Sequence, residues 1–276
     1  MALTLVPISA YGGGVVVLPW EGVVLSAMAL DASGTPTNND ISEAFDDGTT
    51  VVASGKVTIK PFGLVGHQSV GGMWSNKIHL SLKQDPSNIA RSLVEEQFPR
   101  LADPGPVLRR ILERFFPELL VPVQPANREG STWAVFYAFD QYLWQPAGDP
   151  KRGIGIFFNF GASDGNPNPI KYSYSAGIGG NGVIPGRPHD TFGVGWARTK
   201  FSNNLVPFLR QTLDLGLDHE DAVEMYYNVS ITRWLNMTLD LQIVNPALQK
   251  TLNSSGTSLK NVDTAVVGGV RMYIRF

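Results

Sequence analysis

The end of the chain decides the fold: Thr264 to Phe276 reads TAVVGGVRMYIRF. Val270, Met272 and Ile274 recur at every second position, and Arg271 lies among the residues between them. A period of two predicts a β-strand with one apolar face and one polar face. The length fits a transmembrane barrel, whose strands need about 9–11 residues with alternating faces. A strand of a soluble sandwich would alternate in the same way, so the fold class depends on the segments upstream.

The same alternation recurs along most of the chain, and it predicts about eleven strands in total. The apolar faces carry large aromatic side chains, whereas the polar faces carry Asp, Asn, Gln, Glu, small residues and glycine. A polar face of this composition fits a water-filled lumen better than the Lys- and Glu-rich exterior of a soluble sandwich. The sequence therefore predicts an all-β fold, a transmembrane antiparallel β-barrel of the outer-membrane porin type. The clearest segments are Ser131 to Trp144, Gly153 to Gly161, Ile170 to Gly179, Asp221 to Trp234 and Asn236 to Val244.

Composition excludes several classes of protein. The 276 residues carry a net charge of −2, without the basic excess of a nucleic-acid-binding protein, so nucleic acid is not an expected partner. The chain has no cysteine, which excludes disulfide scaffolds and thiolate chemistry. No apolar run is long enough for a transmembrane helix. The first residues, Met1 to Gly14, lack the basic residues of a secretory signal, and we expect the chain to begin partway through a longer protein.

One segment, Leu82 to Asn127, breaks the strand pattern. Within it, Pro104 to Leu119 places apolar residues at helical spacing, which predicts a short amphipathic helix. Long loops at one end and short turns at the other are typical of outer-membrane barrels. We therefore expect residues 1–276 to form a single porin barrel domain, with a long loop containing a short helix at about 82–127.

Motifs for catalysis, cofactors and metals are weak. The glycine run Gly177 to Gly182 resembles a dinucleotide motif, but two prolines follow where that motif needs a helix. The histidines lack the spacing of a zinc site, so no catalytic residue, cofactor or metal is predicted. A Ser–His pair assembled by the fold stays open. An outer-membrane β-barrel hydrolase and a soluble β-sandwich binding module are therefore the alternatives.

A family resemblance is carried mainly by the chain after Ser131. Its pieces are STWAVFYAFDQYLW (Ser131 to Trp144), GIGIFFNFGASDGNPNPI (Gly153 to Ile170), GIGGNGVIPGRPHDTFGVG (Gly177 to Gly195), EMYYNVSITRWLNMTLDLQIVNP (Glu224 to Pro246) and the terminal strand. In order and spacing they resemble the C-terminal portion of carbohydrate-selective porins of the OprB type. The resemblance implies a sixteen-stranded barrel in the bacterial outer membrane that passes sugars by passive diffusion. This chain is shorter and has fewer predicted strands, so we expect an N-terminally truncated barrel.

The resemblance also implies partners. These are mono- and oligosaccharides, the lipid of the outer membrane and the barrel-assembly machinery, for which the terminal Phe276 would be the assembly signal. A homo-trimer is one assembly of this class, and the sequence does not decide it. Strand parity, by contrast, supplies the candidate pore-lining residues, which would contact sugars: Lys56, Lys60, Asp140, Asn159, Lys171, Glu224, Asn228, Asp240, Gln242 and Arg271.

Overall fold

A computed structural model defines the fold of this chain. It describes residues 11–32, 44–85, 88, 105–115, 124–205, 207, 210, 214–252 and 258–275. Fifteen strands lie within them, and in most of the long ones successive side chains alternate between an apolar and a more polar face. They are β1 Gly12–Val17, β2 Val23–Asp31, β3 Thr49–Ile59, β4 Gly66–Ser75, β5 His79–Leu80, β6 Arg128–Glu129, β7 Thr132–Trp144, β8 Gly153–Ser163, β9 Ile170–Asn181, β10 Thr191–Phe201, β11 His219–Ser230, β12 Leu235–Asn245, β13 Lys250–Leu252, β14 Leu259–Asn261 and β15 Ala265–Ile274.

Eleven of these strands form one antiparallel sheet, in the order β1-β2-β3-β4-β7-β8-β9-β10-β11-β12-β15. Neighbours in the sheet are also neighbours in the chain, apart from two small hairpin-like pairs, β5–β6 and β13–β14, which lie in the connections. This meander arises because each connection returns the chain directly beside the strand it has left. Among the described residues, no helix is long and apolar enough to cross a membrane.

The two ends of the sheet differ in the length of their connections. At the short-turn end, strands are joined through 18–22, 60–65, 145–152, 182–190 and 231–234, none longer than nine residues. The long-loop end carries 32–48, 76–131, 164–169, 202–218 and 246–264, all but one of 17 residues or more. This asymmetry is typical of outer-membrane barrels, which have short turns on one side and long loops on the other.

The sheet is a single layer without a hydrophobic core. Among the described residues, only Val23, Ala32 and Ala247 are buried apolar side chains. Most large apolar side chains of the strands instead lie exposed on one face; Val70 is 59 % exposed and Leu239 is 48 % exposed. A contiguous apolar face of this kind is not stable in water, and it is the surface that a barrel presents to lipid.

Tryptophan is concentrated near the two borders of the apolar face. Trp74 and Trp133 are directly opposed in the β4–β7 register near the long-loop end. Trp20, Trp144 and Trp234 lie at the short-turn end, and all five side chains are exposed. Aromatic girdles at both interfaces are characteristic of transmembrane barrels, because these rings suit the boundary between headgroups and hydrocarbon.

A charged pair interrupts the apolar face, and sequence alternation did not predict it. Arg198 and Asp221 are directly opposed in the β10–β11 register, with Nε to Oδ1 at 2.7 Å and Nη2 to Oδ2 at 2.8 Å. The indole N–H of Trp196 donates to the same carboxylate at 3.1 Å. Bidentate pairing satisfies both ions, and the pair lies near the strand ends at the long-loop end, where charge is tolerated better than at mid-membrane.

A helix, α1 (Pro106–Phe115), lies inside the predicted 82–127 loop. Both ends of the predicted Pro104 to Leu119 helix lie outside the described residues. Within α1, Arg109 pairs with Glu113 at 3.4 Å, one turn apart. Of the loop, 86–87, 89–104 and 116–123 lie outside the described residues.

Side-chain amides connect the two sides of this loop at its base. Gln84 Nε2 donates to the carbonyl of Asn127 at 2.8 Å, and the Asn127 N–H donates to Gln84 Oε1 at 3.0 Å. One step further, Asn88 makes the same reciprocal pair with the main chain of Gln124, at 2.8 and 3.1 Å. Each amide acts as a donor and an acceptor, as a paired strand residue would, so the ends of the loop are held together.

A buried carboxylate anchors the 182–190 connection to the neighbouring strand. Asp190 is 4 % exposed and accepts hydrogen bonds from Tyr227 Oη at 2.6 Å, Arg187 Nε at 2.7 Å and the Ser230 N–H at 2.9 Å. Burial alone would raise the pKa of Asp190, but these three hydrogen bonds hold it below its ordinary value. The carboxylate is therefore stabilised in its charged form and links the connection to β11.

We expect Asp190→Asn to lower the free energy of unfolding at pH 7 by about 1–3 kcal/mol, because buried donors lose a charged acceptor. The folded pKa lies below the unfolded value of about 3.9, so the stabilisation is complete above that pH and is lost as the pH falls through the folded pKa. Thermal unfolding in detergent at several pH values measures this. A difference between wild type and variant that is as large at pH 3 as at pH 7 would contradict the assignment.

Candidate functional site

The face opposite the apolar one is polar, and it collects the predicted lining residues. Directly opposed residues of an antiparallel pair share a face, so the register can be followed across the whole sheet. Nine of the ten predicted residues fall on this polar face; only Lys60 does not, because β3 ends at Ile59 and Lys60 begins the Pro61–Gly63 turn. The nine are Lys56, Asp140, Asn159, Lys171, Glu224, Asn228, Asp240, Gln242 and Arg271.

Four of them converge in one pocket, which we call the polar site: Glu224, Asn228, Asp240 and Arg271. The pocket encloses 400 Å³ between β10, β11, β12 and β15, and its wall also includes Tyr226. Small-molecule pockets in proteins occupy about 300–1,000 Å³, so the volume suits a small ligand. The alternation in the sequence placed these four residues on the polar face, but it could not show that they line one pocket.

Hydrogen bonds to neighbouring side chains fix the positions of the polar groups in the polar site. Asn228 Nδ2 donates to Thr238 Oγ1 at 2.7 Å, directly across the β11–β12 pair. Gln242 Nε2 donates to Asp240 Oδ2 at 3.0 Å, and Asp240 Oδ1 is buried without a partner among the described residues. An unmatched carboxylate oxygen is costly, so it favours a donor such as a hydroxyl group in this pocket.

Charges of both signs face the same pocket. Glu224 and Arg271 are exposed, and neither forms an ion pair with another described residue. A carboxylate, a guanidinium and a planar amide on one wall offer fixed acceptors and donors to a ligand rich in hydroxyl groups. The arrangement can bind and orient such a ligand but offers no nucleophile with an activating base.

The other predicted residues lie elsewhere on the polar face. Asp140 Oδ2 is 2.8 Å from His67 Nδ1 across the β4–β7 pair. Asn159 Nδ2 donates to Ser175 Oγ at 3.0 Å, and Lys171 lies over the Tyr172 ring at 5.8 Å. They are distributed along the wall rather than gathered in a single site.

Sequence reasoning missed three residues of the polar site, Thr191, Tyr226 and Thr238. All three lie at polar-face positions, because Thr191 opposes Asn228, which in turn opposes Thr238, and Tyr226 opposes Asp240. Their parity was readable from the sequence. They were not counted because the candidate lining residues were limited to charged and amide side chains.

No cluster of three or more potential metal ligands occurs in the part of the chain that the structure describes. The glycine run Gly177 to Gly182 completes strand β9 and enters the 182–190 connection, where no described helix follows it. Phe276 lies outside the described residues, so its role as an assembly signal stays a prediction.

The chain forms an antiparallel meander with short turns at one end, aromatic girdles, an exposed apolar face and a polar opposite face. These are the features of the wall of a transmembrane β-barrel. The sequence profile of one family, described as the carbohydrate-selective porin, OprB family, matches residues 3–276. The chain belongs to this family.

Known proteins of this kind are similar over part of their length. Porin B of Pseudomonas aeruginosa is 26 % identical over 160 residues, which are 53 % of this chain and 33 % of that protein. The solved high-pH structure of Pseudomonas putida OprB matches 97 % of this chain and 59 % of that chain, with a TM-score of 0.68 and 19 % identity. Its low-pH structure matches 95 % and 54 %, with a TM-score of 0.51 and 15 % identity. The chain therefore spans about a third of the curated relative and somewhat over half of the solved structures, whose similarity confirms the all-β antiparallel fold.

Because the chain has no cysteine, single-cysteine variants can test which face contacts water. We expect Asn228→Cys to react with a membrane-impermeant thiol reagent in lipid vesicles, because Asn228 faces the polar site. The matched variant Leu239→Cys, on the apolar face of the adjacent strand, should resist that reagent, and a fluorophore attached to it in detergent should be quenched by spin-labelled lipid after reconstitution. Equal reaction of both variants in vesicles would contradict the two-faced wall.

Proposed function

We propose that this protein is an outer-membrane porin through which sugars pass by carbohydrate-selective, passive diffusion. The observation that carries the proposal is the polar site, which lies on the opposite side of the sheet from the exposed apolar face. A barrel with its apolar face toward lipid encloses its polar face, so the polar site faces the lumen. Membership of the carbohydrate-selective porin family supports sugars as the solutes.

The mechanism is transient binding without chemistry. Carboxylate, amide and guanidinium groups along the wall replace part of the hydration shell of a sugar, which lowers the cost of entry. Conduction also requires release, so each contact must be weak and the contacts must be spread over several residues. A path of this kind fits the wide spacing of other polar-face residues, such as Lys56, Asp140, Asn159 and Lys171.

The pore requires further strands, because β1 and β15 are the two edges of the sheet. An unpaired strand edge in lipid would leave backbone groups without partners, at several kcal/mol for each group. A sixteen-stranded barrel, as the family resemblance implies, would need five strands beyond the eleven of this sheet. We place them between β15 and β1, contributed by chain that precedes this sequence, within a single barrel domain that includes residues 1–276.

The protein would then reside in the bacterial outer membrane. Lipid would cover the apolar face, the barrel-assembly machinery would insert the chain, and mono- and oligosaccharides would be its solutes. A homo-trimer is one assembly open to such a barrel. No cofactor or metal enters this mechanism.

The two alternative functions lack support in the described residues. A soluble sandwich needs a second layer against the apolar face, whereas the sheet is one layer with that face exposed. A hydrolase needs a nucleophile beside a base. Among the described residues, the only histidine rings that form hydrogen bonds are those of His67 and His219, and these bonds go to Asp140 and Asp218 rather than to a serine.

Single-channel recording of the full-length protein in planar bilayers tests the proposal. We expect an open channel whose current falls saturably as glucose or maltodextrin is added, because bound sugar obstructs ion flow. Asp240→Ala should raise the half-blocking sugar concentration about tenfold, the effect of losing a hydrogen bond to a charged group.

Thr199→Ala is the matched control, since Thr199 faces the lumen outside the polar site. It should leave the half-blocking concentration unchanged. A channel whose current does not respond to any of these sugars would overturn the carbohydrate assignment, and the absence of conductance would overturn the pore itself.

We also expect Phe276→Ala to reduce insertion, because the terminal aromatic residue of a barrel would be read by the assembly machinery. The folded fraction in outer-membrane extracts, compared with Phe276→Tyr as the conservative control, measures this effect. If folded Phe276→Ala reaches the wild-type level, Phe276 is not an assembly signal.

A further inference from the structure

A second depression lies on the polar face beside the polar site, and its floor is bare backbone. We call it the glycine recess; it encloses 310 Å³ and is bordered by Tyr142, Phe157 and Tyr226. Gly155 and Gly179, directly opposed across the β8–β9 pair, form its floor. None of the predicted lining residues other than Asp140 belongs to it.

The floor is bare because polar-face positions on three adjacent strands are glycines. Aromatic rings cover some of them: a Cβ placed on Gly193 would lie 2.6 Å from the Tyr226 ring, and Phe157 covers Gly177 in the same way. Over Gly155 and Gly179, by contrast, the nearest atoms to such a Cβ belong to the main chain of the next strand. The glycines of this region are Gly153, Gly155, Gly177, Gly179, Gly193 and Gly195.

The rings that border the recess lie along the wall rather than across the lumen. Phe157 and Tyr226 are each 38 % exposed although they rest on glycines of the neighbouring strand. Aromatic side chains packed over glycine are a known way to stabilise strands that lack side chains. Here the packing also leaves one face of each ring turned toward the lumen side.

The recess and the polar site adjoin, because Thr191 and Tyr226 line both. Gly179 on β9 and Asn228 on β11 are two strand spacings apart, roughly 10 Å. An occupant that reaches both pockets therefore has more than one ring.

We propose that the glycine recess is a second sugar subsite, and that with the polar site it selects oligosaccharides of two or more rings over monosaccharides. The inference rests on the proposed function, since it names the substrate class of the same wall.

The chemistry of the recess fits the apolar side of a pyranose. The C–H groups on one side of the sugar ring contact flat surfaces, which the glycine floor and the rings of Phe157 and Tyr226 supply. The hydroxyl groups project from the edge of the sugar, where Asp140, Asn181 and Thr191 line the rim. The polar site then takes the next ring through its carboxylates, amide and guanidinium.

The experiment compares current block by glucose and by maltotriose in the full-length channel. Wild type should be blocked at a lower concentration of maltotriose than of glucose. Gly179→Leu fills the recess, so it should raise the half-blocking concentration of maltotriose about tenfold and change that of glucose less. Tyr226→Leu should weaken both, because Tyr226 borders both pockets.

Gly268→Leu is the matched control, because Gly268 lies on the apolar face and a Cβ there meets no atom within 4 Å. Open-channel conductance and circular dichroism show whether each variant folds, and Gly179→Ala serves if the leucine variant does not insert. If Gly179→Leu and wild type have the same half-blocking concentration of maltotriose, the recess is not a sugar subsite. The proposal also fails if glucose and maltotriose block wild type at the same concentration. If wild type responds to neither sugar, the proposed function itself fails, whatever the variants do.

Discussion

The structure depends on one constraint: in lipid, every backbone donor and acceptor of the spanning segments must find a partner within the protein. The eleven-stranded ladder meets this by pairing each strand with its chain neighbour, so a single layer is stable without a core. In the proposed porin, lipid would replace the second layer that a soluble sheet needs. The same constraint makes the edges β1 and β15 the places where the wall must continue.

In the proposed porin, one face of each strand would anchor the protein in lipid and the other would line the path of the solute. The apolar face carries aromatic girdles and one bidentate pair, Arg198–Asp221, whose mutual neutralisation lets charge lie near the membrane border. The polar face carries separated charges that leave hydrogen-bonding capacity for a solute. Buried tethers such as Asp190 lie in the connections, where they position the strands without occupying the lumen.

Side-chain size divides the polar face into a region of polar groups and a region of bare backbone. Charged and amide groups gather at β11, β12 and β15, whereas several polar-face positions of β8 to β10 are glycines. Tyr226 lies at the boundary and contributes to both pockets. In the proposed porin, such a wall would provide hydrogen bonds for the edge of a sugar and flat contacts for its ring.

Alternation alone determined much of this protein: its strands, their two faces, and the side of the sheet on which Asp240, Asn228 and Arg271 lie. These follow from a local property, since successive side chains of a strand point to opposite faces. Lys60 lies outside the wall because β3 ends at Ile59. Tyr226 was not among the candidates because only charged and amide side chains were taken as lining residues. Only the tertiary structure decided which of these residues meet, because register joins positions that are far apart in the chain and is set by pairing between strands.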